Sequence, residues 1–323
     1  MSDKTGIEWT DATWNPIVGC SVVSPGCTNC YAMKMARRLE IISRKNSALS
    51  HYIGTTQDSK VGAVWTGKVA LAPDKLFLKP LSWKQPRRIF VNSMGDLFHE
   101  SIPDEWIERV FEVMRYAKHH TFQVLTKRAE RMRAWVTRAD PDIPWPLPNV
   151  WFGVSIEDQK RADERIPDLL MTPAAVRFVS CEPLLGPIDI DCSDVDWMKY
   201  PEGNGIVGAR LKIDWVICGG ESGPRARPMH PQWVRDLRDQ CELAKVPLFF
   251  KQWGAWEPRY YLTPPDAAGG STQLLKVQQS KNEIILHASE PKQFPVNMVR
   301  VGKKAAGAEL DGETHREFPE VRT

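Results

Sequence analysis

Eight short apolar runs, most followed by a stretch with helical signals, restrict the fold more than any other feature of the chain. They fall at 12–18, 67–72, 88–93, 121–126, 150–155, 176–182, 213–218 and 247–252. Near-continuous apolar strands that alternate with helices belong to a parallel sheet covered on both faces. Eight such units in about 250 residues predict an α/β protein with a (β/α)8-type barrel, complete or partial. A doubly wound open sheet is the alternative. Helices are expected from 31 to 40, 103 to 116, 127 to 132, 157 to 170 and 231 to 244, the second opened by Pro103-Asp104-Glu105. Residues 46–66 read as a loop or lid, Gly203-Asn204-Gly205 as part of an insertion, and Thr263 to Ser280 as turn and loop. The barrel is expected over 1–254, with 255–323 as a C-terminal extension that packs on it.

Between the first run and the first helix lies Gly19-Cys20-Ser21-Val22-Val23-Ser24-Pro25-Gly26-Cys27-Thr28-Asn29-Cys30-Tyr31. Its Pro-Gly pair marks a loop. The spacing is C-x6-C-x2-C, so Cys27 and Cys30 face one centre and the longer spacer lets Cys20 return to it. Three thiolates on one loop suit a metal ion or an iron–sulfur cluster. Structural zinc and most clusters take four ligands, and three leave a position open for chemistry. Inert buried thiols, or a disulfide with one spare thiol, are the other readings.

Composition sets the wider bounds. A net charge of +3 neither requires nor excludes nucleic acid. Seven cysteines, an odd number, fit a reducing compartment better than a disulfide framework. The polar start lacks a signal pattern, and no run has the roughly 18 apolar residues of a membrane span. The expectation is a cytoplasmic protein with no membrane partner. Arginine and lysine clusters at 37–38, 84–88, 127–133 and 225–227, with thirteen tryptophans, would suit a nucleic acid surface; solvated helix faces and core tryptophans are the plainer account.

In barrels of this kind the site lies at the carboxyl ends of the strands. Those positions carry a polar set: Cys20, Asn92, Ser93, Asp96, Thr126, Lys127, Ser155, Glu157, Ser180, Glu182, Glu221, Ser222, Lys251 and Gln252. From it, Asp96, Glu182 and Lys251 are the candidate catalytic groups, and Asn92, Ser93, Ser155 and Glu221 the candidate cofactor-binding groups. Cys20, Cys27 and Cys30 are the candidate metal ligands. Asp96 and His99, three apart, suit an acid–base pair or metal ligation, and a metal-dependent hydrolase would add Glu182. The Gly219-Gly220 turn would let backbone approach a ligand, although it lacks the P-loop spacing. His119 and His120, before a strand, read as structural.

Several segments together resemble one family: Trp-Thr-Asp-Ala-Thr-Trp-Asn-Pro (9–16), the cysteine loop, Phe-Val-Asn-Ser-Met-Gly-Asp-Leu-Phe-His (90–99), Leu-Thr-Lys-Arg (125–128) and Ser-Cys-Glu-Pro-Leu-Leu-Gly-Pro (180–187). Gly-Gly-Glu-Ser-Gly (219–223), Arg-Pro-Met-His-Pro (227–231) and Phe-Phe-Lys-Gln-Trp-Gly (249–254) join them. The resemblance is to an uncharacterised phage-associated family with a three-cysteine motif, similar to radical S-adenosylmethionine (SAM) enzymes. It implies a [4Fe-4S] cluster on Cys20, Cys27 and Cys30, with SAM on the unique iron and an external electron donor. Reduction would release a 5′-deoxyadenosyl radical that abstracts hydrogen from the substrate, a nucleic acid or nucleotide by analogy with repair members. The rival is a non-enzymatic zinc or cluster protein of phage or mobile-element origin that binds DNA or protein. Oligomeric state is left open.

Overall fold

The computed structural model describes residues 5–60, 62–138, 145–191, 212–259, 282–286 and 296–320; the segments 203–205 and 263–280 lie outside them. In chain order the elements begin with β1 (Ala12–Trp14), β2 (Ile17–Val18), α1 (Tyr31–Ser43), β3 (Thr56–Ser59), β4 (Gly62–Trp65), β5 (Ala70–Leu71) and α2 (Asp74–Phe77). Then follow β6 (Arg88–Val91), α3 (Asp104–Tyr116), β7 (Thr121–Thr126), α4 (Ala129–Thr137), β8 (Val150–Ser155), α5 (Gln159–Leu170) and β9 (Val176–Cys181). Last come β10 (Trp215–Gly219), α6 (Pro231–Ala244), β11 (Leu248–Gln252), β12 (Trp256–Arg259), β13 (Glu283–Leu286), β14 (Val296–Arg300) and α7 (Lys303–Ala306).

Seven strands form one parallel sheet in the order β1-β6-β7-β8-β9-β10-β11, a half-barrel with β1 and β11 as its open edges. The order never reverses, as it would in a doubly wound sheet. The run at 67–72 does not join this sheet: its β5 pairs antiparallel with β2, beside the cysteine loop. Seven units of the repeat build the sheet, not eight. A short apolar run carries no mark of the sheet it will enter, so the pattern alone could not separate it. The stretch read as a lid is more ordered than expected, with a 3-10 turn at Ser47–Tyr52 and the antiparallel pair β3–β4.

Helix ends follow local chemistry. Asp104 and Glu105 sit in the first turn of α3, where the helix dipole favours negative charge. The Asp158 side chain accepts from the Arg161 amide to cap α5. His230 caps α6, Pro231 opens it, and Lys245 ends it in the left-handed region.

The strands alternate strictly. Ile89, Val91, Phe122, Val124, Phe152, Val154, Val179, Val216, Leu248 and Phe250 point outward into one core with α3, α4, α5 and α6. Their neighbours point inward, where a different packing begins. At the amino ends the inner face carries Trp151, Val176, Phe178, Trp215 and Phe249, closed by Trp9 from the N-terminal segment and Phe318 from the C-terminal one. Helices thus cover one face only, and an aromatic plug fills the lower half of the other. Expectation and structure differ here because the seventh strand does not close back on the first.

Past β11, β12, β14 and β13 form a small antiparallel sheet. The described end of the chain returns to the half-barrel through Phe318 against Trp215 and the Lys303–Glu8 ion pair. Among the described residues no helix is long and apolar enough to cross a membrane.

Candidate functional site

Going up the inner face, side chains shrink and become polar. Above the aromatic plug stand Gln123, Gly153, Ser155, Ser180 and Gly219, and beyond them Lys127, Glu157, Glu182, Glu221 and Lys251, all of one parity with the plug residues of their strands. The space beside these small residues is filled by their neighbours, a Cβ on Gly153 standing only 2.4 Å from the Phe178 ring, and the charged set caps them. The cysteine loop lies across this mouth.

Four strand ends hold the loop. From β8, Glu157 accepts the Gly26 amide at 3.1 Å. From β10, Glu221 accepts Asn29 Nδ2 at 2.9 Å and pairs with Arg227 at 2.7 Å, while Arg227 also donates to the Pro25 carbonyl. From β7, Arg128 donates to Cys20 Sγ at 3.7 Å and to Ser21 Oγ at 2.7 Å. From β6, the Ser93 carbonyl accepts the Tyr31 hydroxyl. Asparagine between Cys27 and Cys30 therefore serves as the anchor of the loop.

The thiols are all free and differ in surroundings. Burial, then the Asp96 charge, pushes Cys20 up to about 12 despite Arg128. Burial also raises Cys30, while the first-turn amides of α1 at Ala32 and Met33 pull the other way. Cys27 Sγ lies 3.9 Å from the Ser24 hydroxyl. Among the described residues, no three His, Cys, Asp or Glu side chains close around one point as the shell of a single metal ion.

Glu182 and Lys251 meet at 2.8 Å on the inner face, both mostly buried. Glu182 Oε2 also accepts Trp9 Nε1 at 3.3 Å and the Ser180 hydroxyl at 3.5 Å. A Cβ on Gly219 would stand 2.9 Å from Glu182 Oε1 and 3.4 Å from Lys251 Cβ, so the pair occupies the space this glycine leaves. On Gly220 it would meet the Trp253 carbonyl at 2.0 Å. The Gly-Gly turn thus admits chain neighbours; the close approach is between the ends of β10 and β11. Gly219→Ala is expected to push the flexible Glu182 carboxylate off Lys251 while costing less than about 1 kcal/mol of stability. Thermal melts paired with lysine side-chain NMR check both parts.

Asp96 is fully engaged. Oδ1 accepts the Phe98 amide and the Thr126 hydroxyl, and Oδ2 accepts the Lys127 amide and Arg128 Nη1. The carboxylate ties the ends of β6 and β7 together and aims Arg128 at Cys20. His99 is buried beside it; Nδ1 accepts the Ser101 amide, so Nε2 carries the proton toward Ser21 Oγ at 3.0 Å. Asn92 adopts a positive φ of 57° at the end of β6, and its Oδ1 accepts the Ile17 amide. Ser93 Oγ donates to Asn15 Oδ1. Ser155 is buried at the end of β8, and its carbonyl accepts Arg165 Nη1 at 2.7 Å. His120 is buried at the amino end of β7 against the Pro80 carbonyl, away from the mouth.

The charge pattern marked Arg128 and Arg227 only as members of basic clusters and passed over Arg165, because arginines on helical stretches look like solvated faces. Most cations of the noted clusters are held internally: Arg37 by Glu40 and Asp58, Arg88 by Asp11, Arg131 by Asp104, Arg133 by Asp168 and Arg227 by Glu221.

The titrating groups make the fold acid-sensitive. Burial, the largest effect, would raise Glu157 and Glu221; cations and hydrogen bonds outweigh it and hold both below the ordinary range. Depressed carboxylates contribute stability at neutral pH that is lost as pH falls below about 4.5. Burial drives His51 down to about 4, so between 6.5 and 4 the unfolded chain takes up the proton first and stability falls with pH there too. Urea midpoints are expected to drop from pH 7 to pH 4, with His51→Gln recovering about 1 kcal/mol of the upper part of the loss.

The chain is thus an α/β protein built on an open, all-parallel half-barrel, with charged strand carboxyl ends under a cysteine loop. Residues 4–319 match a family described as "Protein of unknown function (DUF5131)", and the chain belongs to that family. No curated protein and no solved structure matches it.

Proposed function

We propose that this protein is a radical SAM-type iron–sulfur enzyme on a partial (β/α) barrel, related to the phage-associated three-cysteine-motif proteins. The observation that carries the reading is the C-x6-C-x2-C loop anchored by four strand ends over a ring of charged side chains. Three free thiols on one loop, Cys20 and Cys30 against the same apolar cluster of Ala32, Met33 and Met94, suit a cluster. Its irons lie at separate corners, and three ligands leave one of them open. Cys20, Cys27 and Cys30 would hold three of those irons. When bound, the cluster supplies the electron for reductive cleavage of SAM, with an external donor refilling it.

The chain's own groups position and protect. Glu157, Glu221 and Arg227 fix the loop, and Asp96 aims Arg128 at it. Asn92, Ser93 and Ser155, at the ends of β6 and β8, are the groups that would hold SAM. Glu182 and Lys251, paired at 2.8 Å on the inner face, are the groups able to hold or move a proton on the substrate. A nucleic acid or nucleotide is the substrate class we assign, by analogy with the repair members of the radical SAM enzymes.

The test is anaerobic incubation of the reconstituted protein with SAM and a reductant. 5′-Deoxyadenosine is expected from the wild type and at least about 100-fold less from Cys27→Ala. Equal yields from both would reject the reading.

A further inference from the structure

We infer that Arg128 sets the electron affinity of the group held on the cysteine loop, through its hydrogen bond to Cys20. The inference rests on the cluster reading above. Arg128 stands just past β7, 108 residues from Cys20 in sequence, and is 9% exposed. Every arm of its guanidinium is committed: Nη1 to Asp96 Oδ2 at 3.0 Å and to Cys20 Sγ at 3.7 Å, Nη2 to Ser21 Oγ at 2.7 Å, and Nε to Glu100 Oε1 at 2.9 Å. Such a group cannot rotate away, and an arginine does not lose its proton.

The other two sulfurs have weaker donors. Cys27 has the neutral Ser24 hydroxyl at 3.9 Å, and Cys30 has the start of α1. Cys20 alone of the three receives a hydrogen bond from a charged side chain among the described residues. Donors and positive charge at a ligating sulfur draw density from it and favour the more negative, reduced state of whatever it ligates. Asp96 and Glu100 oppose that charge, Asp96 from a buried position and Glu100 from a largely exposed one. Arg128 is thus a tuning residue; it touches a ligand and not the reacting atoms.

The structure supplies two levers of opposite sign. Arg128→Gln removes the charge and keeps a donor of similar shape. Glu100→Gln keeps Arg128 and removes part of its compensation at a site where 63% of the side chain is exposed, so folding is little affected. The experiment is an EPR-monitored redox titration of the anaerobically reconstituted full chain, with iron and sulfide measured in each sample. Arg128→Gln is expected to shift the reduction equilibrium about tenfold toward the oxidised form, about 59 mV for one electron. Glu100→Gln is expected to shift it two- to threefold the other way. An Arg128→Gln protein with full iron content and an unmoved midpoint overturns the inference alone. Where that variant does not fold or fill, an unmoved or lowered midpoint in Glu100→Gln does the same. Wild type without iron and sulfide overturns the cluster reading and this inference with it.

Discussion

Trp215→Ala is expected to cost about 3–5 kcal/mol of folding stability. No part of Trp215 reaches solvent, and it sits at the centre of the inner-face plug. Its ring lies 6.3 Å from Trp9, 6.0 Å from Trp151, 5.8 Å from Phe178, 6.2 Å from Phe249 and 5.3 Å from Phe318. Neighbours on β8, β9 and β11 are fixed by the ladder and cannot collapse into the void. The indole also donates to the Glu317 carbonyl at 2.9 Å, so its loss unfastens the C-terminal segment. Urea unfolding measures the cost, and Phe318→Ala, at a half-buried ring, should cost less than half as much. A loss below about 1 kcal/mol in Trp215→Ala would mean that the inner face is not packed around this residue.

Glu157→Ala is expected to cost a similar 3–5 kcal/mol and to release the cysteine loop as well. The carboxylate is completely buried, with Arg165 at 3.0 Å, Lys127 at 3.7 Å and the Gly26 amide at 3.1 Å. Removing it strands the buried Arg165 charge, which is the costly part. The double variant Glu157→Leu/Arg165→Leu should therefore recover much of the stability while the loop stays loose. Urea unfolding gives the first quantity. The second appears as faster hydrogen exchange at Gly26 and its neighbours in both variants. Protected loop amides in the double variant would show that Glu157 serves stability alone.

The two residues also mark what the sequence could and could not reveal. All seven sheet strands fall on apolar runs of the sequence, and the helices α3 and α6 follow from caps and Pro/Gly punctuation. The cysteine loop is as visible in the sequence as in the fold. Glu157 was visible as one polar strand end among many. The parity rule would have sharpened it, since Trp151, Gly153, Ser155 and Glu157 share one face of β8 and its extension. Arg128 had no such signal: only the parallel register of β6 and β7 brings it between Asp96 and Cys20. The run at 67–72 misled because two or three apolar residues fit any sheet, and its true partner, β2, is itself only Ile17–Val18. The plug was hidden for a third reason. Trp9 and Phe318 come from opposite ends of the chain, and tryptophans scattered through a sequence do not announce which face they fill.

The measurement that bears most directly on the central claim is iron, sulfide and zinc content after anaerobic purification, beside the Cys20→Ala/Cys27→Ala/Cys30→Ala variant. The account predicts about four irons and four sulfides per wild-type chain and none in the variant. Stoichiometric zinc that persists through reconstitution with iron and sulfide, or equal metal in both proteins, would contradict it.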